Sequence, residues 1–92
     1  MQVSVAEMAA QVLKDKGFDD KQADHPWNMV QMERSFSSGT LTVWGRSWGD
    51  LLVQIYEDDY SCLDLWSGED LDAMLLVVDK AIEFLSFLST VE

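Results

Sequence analysis

Residues 56–72, YEDDYSCLDLWSGEDLD, carry seven carboxylates and no basic side chain. Carboxylates at this density suit three kinds of chemistry. They ligate a hard metal ion, share protons in acid/base work, or face a cationic partner. The metal reading fails on spacing. A calcium loop alternates oxygen ligands and turns at a glycine, whereas Tyr60 follows Asp58 and Asp59 here. Zinc needs several His or Cys ligands, and the chain has one of each, His25 and Cys62. No metal and no cofactor is expected. Cys62 has apolar neighbours and reads as a buried, inert thiol. His25 precedes Pro26 in a polar stretch and reads as a surface residue. The chain has no G-x-S-x-G elbow, P-loop or G-x-G-x-x-G motif. A binding protein is therefore expected, not an enzyme.

Whole-chain charge sharpens this. The formal net charge is −11 over 92 residues. Between Arg46 and Lys80 there is no Lys or Arg, and nine carboxylates fall there: Asp50, Glu57, Asp58, Asp59, Asp64, Glu69, Asp70, Asp72 and Asp79. Such a surface repels nucleic acid and anionic membranes, so neither is an expected direct partner. It steers basic proteins towards itself. The apolar fraction of 48% is that of a folded chain, and the length suits one small domain, residues 1–92. A single cysteine fits a reducing compartment. MQVSVAEMAAQ lacks the basic start and apolar core of a signal peptide. The expected location is the cytoplasm.

The elements that must position the acidic run follow from periodicity. Ser4 and Glu7 fit a capping box, and Val5, Met8, Ala9, Val12 and Leu13 form one apolar stripe. The spacing predicts a helix over 5–16, stopped at Gly17 with Phe18 folding back. Residues 19–26 read as a loop. Strands are expected at 27–36, 40–44, 51–56 and 60–66, joined by polar turns at 37–39, 45–50 and 57–59. Ser67 then caps a helix over 69–88. The fold expected is α+β: an antiparallel meander of three or four strands, with both helices on one face. The second helix is apolar over more of its circumference than one sheet face needs. Either the first helix covers the excess, or Val77, Phe84 and Phe87 form a homodimer interface.

If Leu41, Val43, Leu51, Val53, Ile55, Leu63 and Leu65 face the helices, Trp44, Tyr56, Tyr60 and Trp66 lie on the opposite face with Asp64. Interfaces favour Trp and Tyr as anchors, and carboxylates around them select a basic partner. The other reading is a face covered by a dimer mate or by the 18–27 loop.

The run YSCLDLWSGEDLDAMLLVVDKAIEFL, with Glu57 just before it, resembles a segment of the bacterial S-adenosylmethionine decarboxylases. The shared pattern is a Tyr-x-x-apolar-Asp-apolar-aromatic strand and the helix after it. It covers roughly a third of the chain. That family makes a pyruvoyl group from a serine, helped by a histidine and a cysteine. The matching positions fall near Trp48, Val53 and Gly68, which cannot do that work. The resemblance implies a non-catalytic, ligand-binding relative. In size, acidity and lack of catalytic motifs the chain also resembles small phage anti-defence proteins, including anti-CRISPRs and DNA mimics. Bacterial toxin-immunity proteins are similar in the same respects. That likeness implies an inhibitor of a basic, nucleic-acid-handling effector or nuclease, acting in the host cytoplasm. Glu57, Asp58, Asp59, Asp64, Glu69, Asp70 and Asp72 would make its electrostatic contacts. Trp48, Tyr60 and Trp66 would anchor it. An oligomerising adaptor, acidic only for solubility, is the alternative.

Overall fold

The apolar stripe of the first residues winds into α1 (Val5–Asp15), which buries Ala6, Ala9 and Leu13. Its end closes by backbone hydrogen bonds. The Phe18 N–H donates to the Leu13 carbonyl and the Gly17 N–H to the Lys14 carbonyl, at 3.0 and 3.1 Å. Gly17 sits at φ +88°, a left-handed conformation that suits glycine. Phe18 folds back into the core, as its position after Gly17 predicts. The computed structural model describes residues 5–21, 28–46, 49–57 and 62–91. Ser4 of the expected capping box lies outside them.

Five strands follow: β1 (Asp19–Asp20), β2 (Asn28–Phe36), β3 (Gly39–Arg46), β4 (Leu51–Tyr56) and β5 (Cys62–Gly68). Each pairs antiparallel with the next, in the order β1-β2-β3-β4-β5. The last element is α2 (Leu71–Val91). This is the expected α+β fold with one short strand more. Asp19 and Asp20, expected in a loop, pair with Glu33 and Met32. Backbone groups at a sheet edge accept any residue with a free N–H and C=O, so apolar pattern does not report such a strand.

One face of the sheet is aliphatic. Met32, Leu41, Val43, Leu51, Val53 and Ile55 are buried there with Leu13 and Phe18 of the α1 region and Met74, Val78, Ala81 and Leu85 of α2. Both helices therefore lie on this face. α1 rests on β2 and β3, and α2 on β4 and β5. Lys16 joins the helices through an ion pair of 2.8 Å with Asp79. Ser38, in the β2–β3 turn, donates to the Leu85 carbonyl at 2.8 Å and ties α2 to the far end of the sheet.

Residues 45 and 46, expected in a turn, continue β3. The reason is a helix seat. A Cβ on Gly45 would lie 2.6 Å from the Ala6 Cβ and 3.3 Å from that of Val30. Glycine here admits α1 to the sheet surface.

Register shifts once between β4 and β5. Val53 pairs with Trp66 and Gln54 with Asp64, so Leu65 is the extra residue of a bulge. The bulge overturns the strict alternation expected for residues 60–66. Trp66 shares the helix-side face with Val53, not the opposite face with Trp44, and packs against the core. Gly68 makes room for its ring: a Cβ there would be 2.8 Å from the indole Cζ2. β5 also runs on through Ser67, so Ser67 does not cap α2. Asp70 does, its Oδ1 accepting the N–H groups of Asp72 and Ala73 at 3.0 and 3.2 Å.

The close approach at Gly45 gives a direct test. Gly45→Ala should lose about 1–3 kcal/mol of stability, read from the midpoint of urea unfolding, because α1 must lift off its seat.

Candidate functional site

Among the described residues no element covers the second face of the sheet. Alternation from the buried side chains places Glu33 on β2, Thr40, Thr42 and Trp44 on β3, Leu52, Gln54 and Tyr56 on β4, and Cys62 and Asp64 on β5 here. Gln54 is the hub. Its Oε1 accepts from the Trp44 indole N–H at 2.8 Å and from the Tyr56 hydroxyl at 3.1 Å. Its Nε2 donates to Asp64 Oδ1 at 2.6 Å. The amide thus fixes an indole, a phenol and a carboxylate across three strands. Such a network holds polar side chains in place on an otherwise uncovered sheet.

Thr42 lies beneath this layer at 0% exposure, and its Oγ1 has no hydrogen-bond partner among the described residues. Tyr56 carries a pKa raised above its ordinary value of 10.0. Burial is the main cause, followed by the hydrogen bond and charge of the neighbouring Cys62 thiol. The Asp64 charge acts the same way, and the Trp44 hydrogen bond acts against it. Cys62 itself is exposed, not buried as its apolar neighbours suggested. It points to the uncovered face of the last strand.

The acidic residues divide by position. Glu57 follows β4, Asp64 lies midway along β5, and Glu69, Asp70 and Asp72 come between β5 and the first turn of α2; all are exposed. They border β5 from end to end. Among the described residues none of the five is in an ion pair. Asp58, Asp59, Tyr60 and Trp48 lie outside the described residues, as does His25. Among the described residues no three His, Cys, Asp or Glu side chains converge as metal ligands. No described helix is long and apolar enough to cross a membrane.

On the helix side, a groove of about 480 Å³ opens between β5 and α2. Leu63, Leu65, Leu76, Val77 and Phe84 line it, and Lys80 is the one charged lining residue among those described. Leu63 faces the helices as expected, yet it is 59% exposed because the groove stays open. α1 lies over the other half of the sheet and does not cover the excess apolar face of α2. Leu76, Phe84 and Phe87 are more than half exposed. Of the expected dimer residues, Val77 and Phe84 enter the groove, and Phe87 lies on the helix surface beyond it. Leu76 and Lys80 belong with them. The 3.6-residue period carries that signal, since both share the Phe84 side of the helix.

No family model, no curated protein and no solved structure matches the chain. The positions that the decarboxylase resemblance assigns to histidine and cysteine hold a buried aliphatic, Val53, and the glycine beneath Trp66.

Two tests address the network. Thr42→Val should stabilise the protein by about 1 kcal/mol in urea unfolding, because it removes a buried hydroxyl that has no partner. Tyr56→Phe should flatten the alkaline limb of stability against pH. The folded phenol ionises later than the unfolded one, so its contribution is complete below about pH 10 and is lost as pH rises through the folded value. The difference between wild type and variant across that range isolates Tyr56.

Proposed function

We propose that the protein is a non-enzymatic acidic inhibitor. It binds a basic protein and blocks the surface with which that protein handles nucleic acid. The observation that carries this is the exposed set Glu57, Asp64, Glu69, Asp70 and Asp72 along one border of the sheet, none of them in an ion pair among the described residues. Carboxylates held on strands and at a helix start present fixed negative charge. A site evolved for phosphates attracts such charge strongly. The Trp44–Gln54–Tyr56–Asp64 layer beside this border supplies oriented aromatic and polar groups. Ordering them in advance lowers the entropy lost on binding. Phage anti-defence is the setting this reading favours. An immunity protein against a toxin nuclease would use the same physics.

Affinity capture from a bacterial lysate at low salt tests the proposal. Basic nucleic-acid-binding proteins should be retained and should elute steeply as salt rises. The double variant Glu57→Lys, Glu69→Lys should retain far less, with unchanged circular dichroism, because neither side chain supports the fold. Asp70 is unsuitable for this purpose, since its reversal also removes the cap of α2. A captured partner indifferent to both salt and these reversals would refute the electrostatic mechanism.

A further inference from the structure

The exposed face of α2 carries a pattern that the acidic border does not explain. Leu76, Lys80, Glu83 and Phe87 recur at helical spacing and form one stripe, and all four are exposed. Lys80 and Glu83 pair with each other at 3.5 Å, with side chains 72% and 70% exposed, so solvent screens their contact. Read in opposite directions, the stripe is its own complement. Against an antiparallel copy, Leu76 falls opposite Phe87 and Lys80 opposite Glu83. A two-fold axis generates this arrangement, in which one patch serves both partners. Phe84 flanks the stripe on the groove side, above Leu63 and Leu65.

We infer that the α2 stripe and the adjoining groove seat a second copy of this chain, in an antiparallel α2–α2 contact. Two observations select this occupant. Among the described residues the groove's one charged lining residue is Lys80, which disfavours a cationic segment there and suits an acidic one. The register that pairs apolar with apolar also pairs cation with anion. Edge-to-edge pairing of two β5 strands is the less favourable geometry. It would bring Glu57 of one copy towards Glu69 and Asp70 of the other, and like charges along an edge block such pairing. The helix contact leaves the acidic border free.

This self-association and the inhibitor reading respond to salt in opposite directions. Each copy carries −11, so added salt screens their mutual repulsion and tightens the dimer, while it weakens capture of a basic protein. Sedimentation velocity on the full chain should show a species of twice the monomer mass that grows with concentration and with salt. Lys80→Glu and Glu83→Lys should each self-associate roughly tenfold more weakly, since each sets like charges face to face across the axis. Mixing the two variants should restore a heterodimer, because every contact across the axis is then cation to anion. Both positions are exposed, so folding, followed by circular dichroism, should be unchanged. A wild type that stays monomeric at all concentrations and salt levels overturns the inference and leaves the stripe to a different chain. Single variants that dimerise like wild type, or a mixture that fails to recover, overturn the antiparallel register.

Discussion

One aliphatic sheet face must be covered by two helices, and the seat of the first decides what the second leaves bare. Gly45 lets α1 approach β2 and β3 until Ala6 meets the backbone. α2 then takes the remaining half, over β4 and β5, with Met74, Val78, Ala81 and Leu85 turned inward. A helix has more circumference than half a sheet can cover. Its outer stripe and the groove beside β5 are therefore left exposed. Among the described residues no element covers the opposite sheet face, since both helices lie on one side. The two surfaces argued to bind partners are consequences of this division.

Much of the layout can be read from periodicity. α1, with Gly17 as its stop and Phe18 turned inward, follows from its stripe and its turn chemistry. β4 falls where LLVQIY alternates. What periodicity conceals is any event that breaks its count. The bulge at Leu65 adds one residue to β5, which carries Trp66 across to the helix side. A one-residue slip reverses every later side chain, and no composition rule marks where it occurs. Gly45 was concealed differently. A glycine beside Arg and Ser reads as a turn, and only the partner helix shows that its missing side chain is a packing feature.

The candidate surfaces were partly visible in the same way. The acidic border is plain in composition, because charge needs no geometry to be counted. The Gln54 hub is not, since an amide between Val53 and Ile55 reads as an ordinary outward residue. Its role depends on Trp44, Tyr56 and Asp64 reaching it from three strands. The exposure of Leu63 was hidden for a related reason. It occupies a core-facing position by alternation, yet the groove between β5 and α2 leaves it exposed.

The placement of the few cations explains how a chain of −11 keeps an uncompensated border. The chain has six Lys and Arg residues, and three of them serve joints of the fold. Lys16 bridges the helices at Asp79. Arg34 donates to the Lys16 carbonyl at the end of α1 and lies 4.8 Å from the centre of the Phe36 ring. Arg46 pairs with Asp50 across the β3–β4 turn. Lys80 stands on the outer stripe of α2. Lys16, Arg34 and Arg46 stabilise contacts between segments, where partial burial makes a charge more effective than at an open surface. Among the described residues no cation pairs with Glu57, Asp64, Glu69, Asp70 or Asp72. Within the border, Asp70 caps α2 and Asp64 holds Gln54, while the side chains of Glu57 and Glu69 make no hydrogen bond or ion pair among the described residues. Charge at Glu57 and Glu69 can therefore change sign without touching the packing or the hydrogen bonds that hold the fold.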